Sequence, residues 1–333
     1  MRRVAVVRCE DYDPGRVGEA VDRLFSLLGA GGGDDPGRFA APGERILLKP
    51  NLLKGAPPED AVTTHPEVLR AVITRLREGA EGAEAAAGPR LELGDSPAWG
   101  SFAAAAEAAG LAAVCREAGV PLVPFQKGVR TANPEGRVYD HLFIDRAVLA
   151  ADGIVNLPKL KTHSQLYMTG AVKNLFGCVS GKRKAWWHFK AGNFEEYFPL
   201  MLVETARLLA PRLSVLDAVL AMEGQGPSGG RPRGAGLLLA GEDPVALDRV
   251  ACEIAGLDPG RLRILAAARE IGWGETDLAQ IEIAGLSLEE ARLAPPLEAP
   301  RMIPIGFSLP RVVKSALKQQ WLTRVREPRQ AAP

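Results

Sequence analysis

The sequence predicts an α/β protein: a mostly parallel sheet with helices on both faces, in two lobes around a central cleft. Three observations carry this expectation. Short apolar runs alternate with amphipathic stretches along the chain. The runs are continuously apolar, as strands buried on both faces require. Polar motifs recur directly after them, where the carboxyl edge of an open α/β sheet collects ligands.

In order, "RRVAVVRC" reads as a strand and "PGRVGEAVDRLFSLLG" as an amphipathic helix with Leu24, Leu27 and Leu28 on its apolar side. "RILLKPN" is the second strand. "THPEVLRAVITRLREGA" is a helix with Thr64 as N-cap and Pro66 in its first turn. "RLELGDS" follows as strand, "SFAAAAEAAG" and "AAVCREAG" as helices, and "VPLVPF" as strand. After a link, "GVRTANPEGRVYDH", come the strands "DGIVNLP" and "LSVLDAVL", with the helix "FEEYFPLMLVETARLLA" between them. "GAGLLLAG" is a strand, "DPVALDRVACEIAG" a helix capped by Asp243 with Pro244 at its first position, and "PGRLRILAAAREIG" a helix ending at Gly272. The expected organisation is an N-terminal lobe over 1–128, a second over 138–293 and a basic tail over 294–333.

The 333 residues, 47% hydrophobic and 24% charged, suit a soluble globular protein with a sizeable core. The net charge of +1, with no aromatic platform beside the lysines, argues against nucleic acid as partner. The start of the chain reads as a strand, not a signal peptide, and no apolar run reaches the roughly 18 residues of a spanning helix, so the cytoplasm is the expected location. Four cysteines, Cys9, Cys115, Cys178 and Cys252, have no close spacing, so no ferredoxin-type cluster motif exists in this chain. In the tail, Val313, Leu317, Trp321 and Val325 recur at helical spacing among basic residues. Docking on its own domain is the ordinary use of such a helix; a membrane surface or protein partner, contacted through residues 309–327, is the alternative.

The local chemistry concentrates in "NLPKLKTH". An extended chain puts Lys159, Lys161 and His163 on one side, an arrangement that repels itself unless an anion neutralises it. A solvated loop is the rival reading. Thr162 belongs to the same motif. In "TGAVKNLFGCVSGK", expected to be helical from about Gln165, Thr169, Lys173 and Gly177 share one side and Gly170 and Asn174 the next, so lysine and asparagine could face a ligand over small residues. A Walker-type phosphate loop is excluded, because Gly177 to Gly181 is one residue too short and Arg183 stands where Ser or Thr is needed.

Lys49 as anion clamp and Asn51 as anchor end the second strand. Asp95 and Ser96 follow the third, one of them a helix cap and the other free to bind a metal, a hydroxyl or an amine. Asp217 and Glu223 could supply acid, base or cation-binding oxygens, and a divalent metal is compatible with them. "GQGPSGGRPRG" reads as a mobile loop over the site. Of the four histidines, His163 is the best general acid/base, since nearby ammonium groups keep it neutral. His65 helps start a helix, His141 is structural, and His188 stacks or closes a pocket.

With "KPN" at Lys49, "HP" at His65, "GDSP" at Gly94, "LPKLKTH" at Leu157, "TGAVKNLFG" at Thr169, "DAVLAMEGQGP" at Asp217 and "GEDPVALD" at Gly241, the chain resembles the domain of unknown function 362 family from about residue 3 to residue 285. Members are often labelled iron-sulfur centre proteins, and many carry a ferredoxin-like module after this domain. No cysteine follows Cys252 here, so the resemblance implies at most a ferredoxin-like partner. A weaker analogy reaches lactate-racemase-like enzymes with an organic nickel cofactor, although no comparable histidine set is present. The functional expectation is an enzyme acting on a small or cofactor-like anion, phosphate- or carboxylate-bearing, by acid/base chemistry. A redox protein linked to an iron-sulfur cluster and a non-catalytic anion or nucleotide binder are the alternatives.

Overall fold

The computed structural model describes residues 1–29, 38–78, 88–179 and 196–305. Ten strands form one sheet whose main path runs β12 (Ile281–Gly285), β1 (Arg2–Arg8), β11 (Arg231–Gly241), β10 (Leu213–Glu223), β7 (Gly153–Leu157), β2 (Arg45–Pro50), β3 (Arg90–Asp95), β4 (Leu122–Pro124). Two more strands, β8 (Lys159–His163) and β9 (Tyr167–Thr169), extend beside β10. The pairs β10/β7, β7/β2, β2/β3, β3/β4 and β1/β12 are parallel, whereas β11 is antiparallel to both neighbours. Two reversals restore direction, so β1 points the same way as β10, and the carboxyl ends of β1, β10, β7, β2 and β3 share one edge.

Adjacent residues enter different cores because successive strand side chains face opposite ways. Val4, Val6 and Leu47 pack under α6 (Ala171–Asn174), α7 (Tyr197–Leu209), α8 (Pro244–Ile254) and α9 (Arg263–Ile271). Ala5, Val7, Ile46 and Leu48 pack under α1 (Pro14–Gly29), α2 (Pro66–Glu78), α3 (Phe102–Ala108) and α4 (Leu111–Glu117). Helices therefore cover both faces, as the continuous apolar runs require. Segments 1–128 and 138–293 both contribute strands to this sheet, with β1 between β11 and β12.

Several local expectations are corrected. The link at 128–141 contains β5 (Gly128–Ala132), which pairs with β6 (His141–Asp145) before the short helix α5 (Arg146–Leu149). No helix starts at Gln165: β9 occupies Tyr167–Thr169 and α6 begins at Ala171, because the chain first folds back on β8. Thr64 does not cap α2; its hydroxyl accepts the Asn51 amide and donates to the Leu157 carbonyl. His65 Nδ1 takes the Glu67 amide instead. The turn after β10 is tied down, not a free lid: Thr162 Oγ1 donates to the Gly224 carbonyl, and the Ser164 amide to that of Gly226. The strand β12 and the short helix α10 (Leu288–Ala291) were not expected. His188 and the tail segment 309–327 lie outside the described residues.

Among the described residues no helix is long and apolar enough to cross a membrane.

Candidate functional site: a buried lysine centre

Pro158 breaks the strand that would otherwise join β7 to β8, and β8 continues along β10 beyond the main sheet, with Lys159 opposite Asp217 and Lys161 opposite Met222. This carries the two lysines past the carboxyl edge. Lys159 is fully buried; its Nζ donates to Asp217 Oδ2 at 2.8 Å and to the Tyr12 hydroxyl at 2.6 Å. Tyr12 Oη donates to Asp217 Oδ1 at 2.8 Å, and the backbone amides of His65 and Val219 also reach this carboxylate. The His65 ring stacks on Tyr12 with centroids 3.5 Å apart. Every acceptor position of Asp217 is thereby engaged, which suits a buried ion pair.

A second pair forms where β2 and β3 end. Lys49 Nζ lies 2.8 Å from Asp95 Oδ2 and 2.6 Å from the Pro50 carbonyl, and Asp95 also accepts the amides of Leu52 and Ser96. Gly177 presses on this pair: a Cβ there would stand 2.5 Å from both Asp95 Oδ1 and Lys49 Nζ. The glycine is needed for close approach.

Between the two pairs stands Lys161, also buried, with Nζ 2.8 Å from Asn51 Oδ1 and 2.8 Å from the Val62 carbonyl. Both acceptors are neutral. Asn51 is held by Asn174, which in turn bonds Asn156 and the Lys49 carbonyl, so a buried amide chain fixes the acceptor. Thr169 is paired directly across from Lys161, and Cα partners in an antiparallel ladder project to one side. Its hydroxyl and that of Thr63 are buried without a hydrogen-bond partner among the described residues. Such orphans cost free energy until something bonds them.

Lys173, on α6, completes the centre. It makes no hydrogen bond or ion pair among the described residues, and although protein surrounds its ammonium group, part of the side chain remains reachable by solvent. The start of α6 is fixed by Asp248, whose buried carboxylate accepts the amides of Ala171 and Val172. A Cβ on Gly170 would overlap that carboxylate.

The centre holds four ammonium groups, Lys49, Lys159, Lys161 and Lys173, against two carboxylates, Asp95 and Asp217. Burial pushes Lys161 well below the ordinary lysine range, with Lys173 and Lys159 adding to the shift. Lys173 is lowered to about 8, first by burial and then by Lys49. Burial also lowers Lys159, against the opposing pull of Asp217. Burial holds the His65 imidazole down to about 4, so it is neutral at pH 7, and raises Asp248 to about 7.

The structure brings together Lys49, Asn51, Asp95, Lys159, Lys161, Thr169, Lys173, Asn174 and Asp217. Gly170 shapes the entry to α6, and the Ser96 amide caps Asp95. Thr162 is turned toward the carbonyls of Met222 and Gly224. Glu223 pairs with Arg231 and accepts the Glu298 amide, with no hydrogen bond to these lysines. His163 Nδ1 accepts the amides of Gln165 and Leu166, so this nitrogen braces the turn into β9. Tyr12 and the site role of His65 were missed. Tyr12 follows the first strand, and the carboxyl-edge rule, applied there too, would have included it.

Asp95 and Asp217 each sit on a lysine, and among the described residues no three His, Cys, Asp or Glu side chains gather as a metal site. That donor set does not fit a divalent cation or an iron-sulfur cluster. It fits an anion.

Fold and centre together define a class: an α/β protein with a cationic, largely buried centre at the carboxyl edge of its sheet. The chain belongs to the family described as a domain of unknown function (DUF362), whose model matches residues 46–253. That span contains the whole centre except Tyr12. The chain is also similar to a thylakoid-associated protein of Synechocystis sp., 39% identical over 340 residues, covering 98% of this chain and 97% of that one. Among solved structures, the lactate racemase apoprotein from Thermoanaerobacterium thermosaccharolyticum superposes with a TM-score of 0.48 at 11% identity, over 77% of this chain and 57% of that one. A protein from Thermotoga maritima gives 0.43 at 14%, over 75% and 61%. At these scores nothing about activity follows from either structure.

Proposed function

We propose that this protein is an enzyme acting on a small or cofactor-like anion, with the phosphate or carboxylate group held by Lys161 and Lys173. The observation that supports this most is the uncompensated charge: among the described residues two lysines are matched by carboxylates and two are not, in a largely buried setting. An arriving anion would supply the missing charge, and the orphan hydroxyls of Thr63 and Thr169 add two donors nearby.

Acid/base work falls in this reading to His65 at the rim. Its Nδ1 accepts an amide, so the neutral ring carries its proton on Nε2 and can donate it to an oxygen where negative charge develops. Tyr12, stacked beneath it and bonded to Lys159 and Asp217, holds the ring in place.

Because the empty centre depresses the lysine pKa values, anion binding should draw in protons. Calorimetric titration of inorganic phosphate and of small carboxylates, in two buffers of different ionisation enthalpy, should show proton uptake in the wild type and loss of binding in Lys161→Met. Binding with no proton uptake and unaffected by this substitution would rule the centre out as the anion site. Tight binding of an anion that is never consumed would instead favour a sensor. A cytoplasmic location is part of the proposal. The relative's thylakoid association makes attachment to a membrane surface the alternative, which fractionation of cells into soluble and membrane pools separates.

A further inference from the structure

The four lysines of the centre are not equivalent. Lys49, Lys159 and Lys161 are almost wholly buried, and each Nζ donates to two acceptors, which fix its position. Lys173 has no acceptor among the described residues, and its side chain is partly exposed. Its anchorage is rigid: Asp248 grips the start of α6 by two backbone amides, and Gly177, just past the end of that helix, lies against Lys49 and Asp95. A free amine on a fixed backbone, beside cations that discourage a further proton, is the arrangement in which a lysine becomes a nucleophile.

We propose that Lys173 forms a covalent imine with its substrate, and that the substrate class is therefore a small anion bearing an aldehyde or ketone carbonyl. This rests on the anion-site reading above and adds the reaction type to it. The neutral Nζ attacks the carbonyl carbon and gives up one of its protons as the carbonyl oxygen gains one, which forms a carbinolamine. Loss of that oxygen as water, with one further proton, leaves a protonated imine; no oxidant or reductant is consumed. Lys161 neighbours the amine and would hold the carboxylate or phosphate of the same molecule. The depressed pKa of Lys173 supports this: at pH 7.5 about a quarter of the amine is neutral, against about one in a thousand for an ordinary lysine.

The test treats the full chain with glyoxylate and cyanoborohydride at pH 7.5 and maps the reduced adducts by peptide mass spectrometry, with exposed Lys127 as internal reference. Lys173 is expected to label at least 10-fold faster than Lys127, and inorganic phosphate should slow labelling at Lys173 alone. Labelling no faster than at Lys127 overturns the proposal. Lys173→Arg keeps a cation and removes the nucleophile, so it should lose the adduct, while phosphate affinity by calorimetry is weakened but not abolished. An adduct that persists elsewhere in the centre of this variant also overturns it. If the wild type binds phosphate but Lys173 does not label, only the imine falls. If Lys173 labels rapidly but phosphate neither binds nor protects, the anion-site reading falls and the nucleophile stands.

Discussion

The two halves of the lysine centre differ in one respect that organises everything else. Lys159 and Lys49 are each closed by an aspartate, with Asp217 and Asp95 further saturated by backbone amides or Tyr12. Among the described residues Lys161 meets only neutral oxygens and Lys173 meets none. Residues of one type, within one centre, thus divide into framework and open positions according to whether a counter-charge was built in. A buried ion pair contributes little net stability, yet removing one partner strands a charge in a dry interior.

The largest expected effect follows from that asymmetry. Asp217→Ala should destabilise the fold by about 3–5 kcal/mol in urea denaturation, because it strands Lys159 and leaves Tyr12 and the His65 amide without their acceptor. A loss below about 1 kcal/mol would erase the distinction between framework and open lysines. Next is Gly177→Ala, whose methyl group must displace Lys49 or Asp95; overpacking of this kind costs about 1–3 kcal/mol. Wild-type stability in this variant would mean that the turn after α6 yields easily.

Lys161→Met should behave in the opposite way. It removes a buried cation with no carboxylate partner, so stability should stay within about 1 kcal/mol of wild type or rise, while phosphate affinity falls by at least about 10-fold. Strong destabilisation would move Lys161 into the framework half.

The last effect is a slope. The folded-state pKa of Lys173, near 8, lies below its ordinary value of 10.5, so between these values the unfolded chain binds more protons. The residue's contribution to stability should therefore rise from about pH 8 to pH 10.5 and be flat outside that window. Subtracting the pH profile of Lys173→Met isolates it, since buried Cys9, Cys115 and Cys252, with raised pKa values, act in the opposite sense at alkaline pH in both proteins. A flat difference would show that Lys173 is solvated like a surface lysine.

Much of this was legible in the sequence because it is written in local pattern. Asp243 with Pro244 caps its helix with its own side chain, as its local pattern says, whereas the cap expected at Asp95 or Ser96 falls on Ser101 ahead of Phe102. The alternation of Val4 and Val6 with Ala5 and Val7 needs only the two-residue period of a strand. Lys159, Lys161 and Lys173 could be singled out because acidic residues are absent around them. The strand β9 was not legible: "YMT" pairs only because the chain reverses at His163, and no strong turn signal marks that place. Thr64 looked like a cap by every local rule, but tertiary contact with Leu157 claimed its hydroxyl.

The sequence by itself determined the α/β class, the order of most elements and the concentration of positive charge, since these follow from periodicity and residue type. Only the tertiary structure decided which charges are neutralised. Asp217 lies 58 residues from Lys159 and Asp95 46 from Lys49, while Tyr12 arrives from the loop after the first strand, 147 residues before Lys159. The pairing rests on strand order: β10 beside β8 gives Lys159 its aspartate, β2 beside β3 gives Lys49 its own, and no strand delivers one to Lys161 or Lys173. Distance through space, which no local pattern records, sets the Coulomb energy.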